Sequence, residues 1–264
     1  MEPSTQQTSP AIPIAIVCGF AMIALAIFFT NKNGSDAEPV NIAQNDSEEV
    51  SEKGVPRPVD ETDYIRGNPN APILMVEYSD YDCPFCGQYH NTMNQIMDEY
   101  GITGRLAWVY RQFPLTELHP NSPKISEAAL CVGEIGGNEA FWKFTDSIFQ
   151  GRNLNEPTNV TKLTQYAEAA GVSEKDYTDC LKSGHMQEAV IAQIEDGFNS
   201  GARGTPYTVL IVGNQQAVIN GAQPYEVVKG IIVNLLSQLD GNFDTEATES
   251  IEVPINASGI PVLE

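Results

Sequence analysis

The sequence predicts an α/β fold in which a run of helices is inserted between strands. Two observations lead to this prediction. The short apolar stretch at residues 73–79 is typical of a buried strand, and it runs directly into a cysteine pair that heads an amphipathic helix. Apolar residues then recur at helical spacing through residues 122–202, before another apolar strand at residues 207–212.

Residues 11–30 are apolar over about the length that a helix needs to span a bilayer. A cleaved signal peptide is the alternative, but no Lys or Arg precedes the segment and Phe28-Phe29-Thr30-Asn31 is a poor cleavage site. We therefore predict an uncleaved transmembrane anchor after a short N-terminal tail, residues 1–10. Charge orients this anchor poorly, because Lys32 is the only basic residue near it.

The chain is strongly acidic, with 14 Lys and Arg residues against 35 Asp and Glu residues and a formal net charge of −21. Nucleic acids and anionic lipid headgroups repel such a chain, so no nucleic-acid partner is expected. Part of the acidity lies in residues 31–60, a predicted flexible linker, and in residues 241–264, a predicted loose acidic tail. The globular domain is expected over residues 61–240.

Glycine positions and apolar spacing divide the first part of this domain. The helix after the cysteine pair should end near Gly101, and Leu106–Tyr110 is a predicted strand. Residues 122–202 contain five apolar stripes, and Gly136-Gly137 should separate the first two. These stripes predict a helical insertion of about 80 residues, a length typical of a small domain.

The sequence at the end of the domain predicts a hairpin followed by a helix. Residues 207–212 and Gln216–Ile219 flank Gly213-Asn214, a turn typical of a two-stranded hairpin. Pro224 opens a last helix whose apolar residues form a wide face, which is expected to lie on a sheet.

Cys83 and Cys86 are the expected centre of the chemistry. They stand where a strand meets a helix, and Pro84 suits the first position of that helix. A thiol at a helix N-terminus faces unpaired N–H groups and the positive end of the helix dipole, which favour the reactive thiolate. Zinc sites also use two cysteines at this spacing, and His90 could be a third ligand, but no fourth is evident. We expect His90 to pack or to form a hydrogen bond instead.

Acidic residues surround the cysteine pair in the sequence. Glu77 shares a predicted strand face with Ile73 and Met75, so it should lie on a mostly apolar face, although an exposed strand end is the alternative. Asp80 and Asp82 crowd the next turn. Their negative charge would raise the pKa of the nearby thiol and oppose the helix dipole.

The order of these elements resembles the thioredoxin fold with a helical insertion, as found in the DsbA-like thiol–disulfide oxidoreductase family of bacterial cell envelopes. The resemblance covers about residues 61–240 and rests on Cys83-Pro84-Phe85-Cys86 and Gly204-Thr205-Pro206 in the family's order. It implies a thioredoxin-like α/β fold with an inserted α-helical domain, and the apolar segment at residues 11–30 is expected to precede it as one N-terminal transmembrane helix. It also implies a protein disulfide oxidoreductase that needs no cofactor and no metal.

The resemblance assigns roles to residues around the cysteines. Cys83 is the exposed nucleophile and Cys86 the buried resolving cysteine. Thr205 precedes a cis proline, Pro206, whose neighbouring backbone is free to pair with an extended substrate. Sequence alone leaves an ordinary proline at the start of a strand as the alternative.

The same resemblance gives Glu77 a part in proton transfer at the buried thiol, and it places Pro84 and Phe85 beside the substrate. It also implies a structural disulfide between Cys131 and Cys180, for which two buried free thiols are the alternative.

The cysteine pattern of one close pair and one distant pair suits an oxidising compartment. We therefore expect a membrane-tethered enzyme with its catalytic domain on the extracytoplasmic side, which forms disulfides in exported proteins and is re-oxidised by a membrane redox partner. Phe85 donates nothing to a thiolate, which argues against a strong oxidant. The alternatives are a disulfide reductase or isomerase of the same fold, a non-enzymatic metal-binding module, and a membrane-anchored scaffold.

Overall fold

The structure is a computed structural model that describes residues 54–241. The predicted anchor at residues 11–30, most of the linker and nearly all of the acidic tail lie outside the described residues. Within the described part, none of the helices combines the length and the apolar character that a membrane crossing requires.

The described chain contains five strands and six α-helices. The strands are β1 (Tyr64–Gly67), β2 (Ile73–Ser79), β3 (Leu106–Gln112), β4 (Tyr207–Val212) and β5 (Gln215–Asn220). The helices are α1 (Pro84–Glu99), α2 (Ser122–Gln150), α3 (Leu163–Ala169), α4 (Glu174–Ser183), α5 (Met186–Asn199) and α6 (Tyr225–Leu239). The helical insertion and its position between β3 and β4 were predicted, and both are confirmed.

The five strands form one mixed sheet in the order β1-β3-β2-β4-β5. The central pair, β2 and β3, is parallel, and every other neighbouring pair is antiparallel. A parallel pair needs a crossover connection, and α1 supplies it between β2 and β3. The cysteine pair therefore lies at the carboxyl end of a central strand, at the start of this crossover.

Strand β1 is the one element that we did not predict. It is only four residues long and pairs with β3 at the edge of the sheet. Its sequence, Tyr-Ile-Arg-Gly, is too short to show the alternation that identifies a half-buried strand.

The predicted break at Gly136-Gly137 is confirmed. Gly137 has a φ of 76° and a ψ of −172°, so the helical backbone is interrupted there. Glycine tolerates this φ because it has no Cβ atom. The range of α2 therefore contains two helical segments that meet at a kink, one for each of the first two predicted stripes.

Two apolar clusters cover the two faces of the sheet. The larger cluster contains alternate residues of the central strands, including Ile73, Met75 and Trp108, which pack against the helices. The smaller cluster contains the intervening strand residues, including Val76 and Val109, whose side chains lie on the opposite face. Glu77 follows Ile73 and Met75 in the alternation, so it lies on the larger, apolar face.

The predicted apolar face of α6 is only partly buried. Val228 and Ile232 are fully buried, whereas Val227, Val233 and Leu239 are at least a third exposed. The helix contacts α1 and therefore helps to hold the helix that carries the cysteines.

Candidate active site

The cysteine pair is held by the turn between β2 and α1. Cys83 is the N-cap of α1, with extended backbone angles, and Pro84 occupies the first helical turn. The Cys83 N–H donates to Asp80, to both its carbonyl and its Oδ1. This arrangement directs the unpaired N–H groups of the helix start toward the Cys83 side chain.

Cys83 is covered in the folded chain. The residue is 3% exposed, so the expectation of an exposed nucleophile is wrong for this conformation. Its Sγ donates to the Thr205 carbonyl, at 3.6 Å, which places the cis-proline segment against the sulfur.

The surroundings of Cys83 favour its thiolate. A hydrogen bond from the Cys86 side chain is the largest influence, and the backbone N–H groups of Cys86 and Phe85 add to it. Together they overcome the opposing effect of burial and lower the pKa of Cys83 to about 6. A thiol with this pKa is mostly ionised at neutral pH.

Cys86 has the opposite character. It is fully buried, and burial raises its pKa well above the usual thiol value. The neighbouring Cys83 and Glu77 add to the shift, because a negative charge near a thiol disfavours a second one. The pair therefore consists of one thiolate and one thiol when it is reduced.

The peptide bond between Thr205 and Pro206 is cis. Pro206 is buried and Thr205 is partly exposed, beside Cys83. Pro84 is partly exposed as well, and Phe85 is 58% exposed, which is unusual for a phenylalanine next to a buried cysteine. These residues give the reactive sulfur a partly apolar, accessible border.

Glu77 is a buried carboxyl group on the face of the sheet that carries α1. It is fully buried, and its Oε2 accepts a hydrogen bond from Trp108 Nε1 at 2.8 Å. No partner for Oε1 lies among residues 54–241. Burial, the largest influence, raises the pKa of Glu77 to about 7, and the nearby charge of Cys83 adds to the shift. The exposed strand-end alternative is excluded by this burial.

Asp80 organises the turn. Its fully buried carboxylate accepts hydrogen bonds from four donors of the protein besides the Cys83 N–H: the Asp82 and Leu115 N–H groups, the Ser122 hydroxyl and the His119 ring. We expected the charge of Asp80 to oppose the effect of the helix start on the pKa of Cys83. That pKa is lowered, and the largest influences on it come from Cys86, burial, Thr205 and Phe85.

Arg152, which we did not predict as a site residue, lies over the motif. Its Nη2 donates to the Cys83 carbonyl at 2.9 Å. Burial lowers its pKa, while the charges of Asp82, Cys83 and Asp80 oppose that change, so the guanidinium is close to all three groups. No sequence motif marks this residue, because it reaches the site from the segment that follows α2.

The segment after α2 also packs on α1 directly. The Thr158 N–H donates to Asp82 Oδ1 at 2.7 Å. A Cβ atom at Gly87 would lie 2.3 Å from a methyl carbon of Leu154, so any larger residue there would have to displace the Leu154 side chain. Residues 152–158 thus link the helical insertion to the cysteine motif.

Other residues singled out in the sequence have structural surroundings. The His90 ring is buried, donates a hydrogen bond from Nε2 to Asp146 Oδ1 at 2.8 Å and packs on Trp108 and Phe149. The expected packing and hydrogen-bonding role of His90 matches this geometry. A disulfide links Cys131 in α2 to Cys180 in α4.

Comparison with known proteins identifies the family. A family model described as Thioredoxin matches residues 59–234, two thirds of the chain. The chain belongs to the thioredoxin family. The prediction of a DsbA-like thiol–disulfide oxidoreductase is confirmed at the level of family and fold.

Solved structures show the same form of the thioredoxin fold. The T172V variant of α-DsbA1 from Wolbachia pipientis superimposes with a TM-score of 0.60 at 19% identity, over 72% of this chain and 98% of that one. Oxidised BdbD from Bacillus subtilis gives a TM-score of 0.59 at 18% identity, over 70% of this chain and 97% of that one.

Curated relatives match this thioredoxin-family chain over part of their own length. A protein-disulfide oxidoreductase from Rickettsia bellii is 31% identical over 137 residues, 51% of each chain. The Na⁺/H⁺ antiporter NhaA 1 from Mycolicibacterium gilvum is 30% identical over 221 residues, 81% of this chain. The chain spans 32% of the antiporter's length, so antiport is a property of that larger protein.

Proposed function

We propose that this chain catalyses thiol–disulfide exchange through Cys83 and Cys86. The single observation that carries the proposal is the opposite ionisation of the two sulfurs, with the pKa of Cys83 lowered to about 6 and that of Cys86 raised. Family membership and the cis proline beside Cys83 support it. The thiolate is the form that attacks and leaves in such exchange.

In the proposed reaction, a substrate thiolate attacks Cys83 Sγ of the Cys83–Cys86 disulfide. The new bond is a mixed disulfide between substrate and Cys83, and the S–S bond to Cys86 breaks. Cys86 leaves with the electron pair and takes a proton, since burial disfavours its thiolate. A second substrate thiolate then attacks the substrate sulfur of the mixed disulfide, which releases the substrate disulfide and the Cys83 thiolate.

Glu77 is proposed as the proton source and acceptor for Cys86. A carboxyl group with a pKa of about 7 is protonated in about half of the molecules at neutral pH, so it can give and take a proton in each cycle. Its charge acts on Cys86, and its second oxygen has no partner within residues 54–241. These two features fit a group that exchanges a proton near the buried sulfur.

The stabilised Cys83 thiolate supports a reaction that forms disulfides in the substrate over one that reduces them. Stabilising the reduced pair makes the disulfide a better oxidant. The donors that stabilise the thiolate are the Cys86 side chain and backbone N–H groups, so the apolar Phe85 side chain does not count against this direction. Its exposed ring is proposed instead as a contact for extended, partly apolar substrate chains. A reductase is the alternative that a low reduction potential would establish.

We propose that the substrates are thiols of exported proteins and that a membrane redox partner re-oxidises the chain. The Cys131–Cys180 disulfide supports an oxidising, extracytoplasmic location. Residues 11–30 would tether the domain and residues 31–60 would link it to the membrane, with residues 241–264 as a tail. Labelling Cys83 of the Cys86→Ser variant, which cannot form the internal disulfide, with a membrane-impermeant maleimide in intact cells tests this location, and protection of Cys83 until lysis would contradict it.

The described residues favour redox chemistry over metal binding at this pair. The ring of His90 faces Asp146, and residues 54–241 place no third metal-binding side chain with Cys83 and Cys86 in a group compact enough for one ion.

Trapping of the mixed disulfide tests the proposed function. In the Cys86→Ser variant, the Cys83 thiolate should attack a peptide whose single cysteine is held in an activated disulfide, expel the activating thiol and remain bonded to the peptide, as mass spectrometry of the proteolysed complex would show. Cys83→Ser should abolish exchange, while the matched control Cys131→Ser with Cys180→Ser should retain it. Exchange that persists in Cys83→Ser would refute the proposal.

A further inference from the structure

A second group of metal-binding side chains lies in the helical insertion. Oxygen, sulfur and nitrogen donors of Glu134, Cys180 and His185 all lie within 4.8 Å of one another, and this is the only such group within residues 54–241. Cys180 Sγ is 3.7 Å from Glu134 Oε2, and His185 Nε2 is 2.9 Å from the same oxygen. None of these residues takes part in the proposed exchange reaction.

Cys131 lies beside this group of three. Its sulfur is bonded to that of Cys180, and it lies three residues before Glu134 on α2, so the two face the same side of the helix. Cys180 and His185 lie five residues apart, around the end of α4. Once the disulfide is reduced, the Cys131 sulfur is free to approach the other three donors.

A neighbouring hydroxyl group orients the His185 ring. The Ser183 hydroxyl donates its only hydrogen to the Cys180 carbonyl at 2.6 Å, so toward His185 Nδ1 it can only accept. Nδ1 therefore carries a hydrogen, and Nε2, which donates to Glu134 Oε2 in the metal-free form, is the nitrogen that can bind a metal once its hydrogen is released to solvent. Fixing the tautomer through the other ring nitrogen is typical of histidine ligands.

We propose that this group is a zinc site that opens when the Cys131–Cys180 disulfide is reduced. A disulfide sulfur has no thiolate to offer, so the oxidised form holds no metal. A dithiol reductant transfers two electrons, becomes a disulfide itself and leaves two thiols. Zinc then binds both sulfurs with Glu134 and His185, and the two thiol protons and the Nε2 proton of His185 are released to solvent.

The chemistry of the donor set matches zinc. Two thiolates, an imidazole and a carboxylate give four ligands of the types that Zn²⁺ binds tetrahedrally. With Zn–S bonds of about 2.3 Å the sulfurs would stand roughly 3.8 Å apart, so they must separate from bonding distance. The buried cysteines and the half-exposed Glu134 and His185 leave one side of the group open for the ion to enter.

Zinc titration of the full chain tests the proposal in a Cys83→Ser, Cys86→Ser background, which removes the other close cysteine pair. After reduction with a phosphine and its removal, one equivalent of Zn²⁺ should bind, and the oxidised protein should bind none. Co²⁺ as a probe should show the charge-transfer and visible bands of a tetrahedral site with two thiolates.

Ligand variants decide whether these residues form the site. His185→Ala and Glu134→Ala should each weaken zinc binding at least about tenfold, while Glu139→Ala, an exposed glutamate on the same helix, should not. Circular dichroism checks that each variant is folded. No zinc binding after reduction, equal binding before reduction, or equal affinity in the ligand variants and the control would each overturn the proposal.

Discussion

Cys83 and Cys86 lie three residues apart at the start of α1, whereas Cys131 and Cys180 lie 49 residues apart and join α2 to α4. The first pair faces unpaired N–H groups of a helix start and the cis-proline segment. The cysteines of the second pair stand within α2 and α4 and not at the start of either helix, and they link two parts of the insertion. The comparison teaches that the backbone around a cysteine pair, more than burial, separates exchange chemistry from a structural link.

Each cysteine pair also has a glutamate nearby, and the two glutamates differ in burial. Glu77 is fully buried and has an indole N–H as its hydrogen-bond partner. Glu134 is half-exposed and pairs with His185. Burial makes the first carboxyl group a proton exchanger near neutral pH, whereas the second lies in contact with solvent and beside an imidazole ring.

Removing the structural pair should have the largest effect on stability. Cys131→Ser with Cys180→Ser opens a loop of 49 residues and should lower the free energy of unfolding by about 4 kcal/mol in the chain-entropy description. Urea denaturation measures this loss. The folded variant should keep its exchange rate, and loss of exchange under conditions where it remains folded would contradict the separation of the two pairs.

Glu77 should make the folded state less stable as the pH rises. Its pKa of about 7 exceeds the unfolded value of 4.5, so its contribution is fully present below pH 4.5 and is lost as the pH rises through 7. The loss should approach about 3 kcal/mol, and Glu77→Gln should remove it.

Denaturation between pH 4 and 8 in the Cys83→Ser, Cys86→Ser background measures the Glu77 effect. That background removes the thiol of Cys83, whose lowered pKa would act in the opposite direction. An equal pH dependence with and without Glu77 would show that another group is responsible.

Removing the positive charge beside the motif should have a smaller effect. Arg152→Ala withdraws a guanidinium close to Cys83 and should slow alkylation of Cys83 at pH 6 by about two- to tenfold, since less of the thiol is ionised. Arg105→Ala, which breaks a surface ion pair with Asp240, is the matched control and should leave the rate unchanged.

The smallest effect is expected at the glutamate of the second pair. Glu134→Gln weakens a half-exposed ion pair with His185 and should change the stability of the oxidised protein by less than about 1 kcal/mol. Thermal denaturation at pH 6 measures it. A loss of stability near the roughly 3 kcal/mol expected for Glu77 would contradict the contrast between buried and exposed carboxyl groups.

The sequence predicted the elements that carry a strong local pattern. The strand before Cys83, the helix after it and the hairpin around Gly213-Asn214 all occur within two residues of the predicted bounds. Strand β1 escaped prediction because edge pairing, a long-range contact, creates it from four residues with no alternation of their own.

The candidate site was predicted only where residues are close in sequence. The cysteine pair and the apolar face of Glu77 follow from local spacing, but the Trp108 hydrogen bond depends on strand register. Arg152 reaches Cys83 from 69 residues away, and the four further donors to Asp80 come partly from loops beyond β3. Such partners belong to tertiary packing, which residue spacing does not encode.

The pH dependence of Cys83 alkylation in the reduced full chain tests the central claim most directly. Mass spectrometry reads the rate of iodoacetamide modification at this one residue between pH 4 and 10. We predict a rate that rises with a midpoint near pH 6, because the thiolate is the reacting form. A midpoint near pH 9, that of an ordinary thiol, would contradict the account.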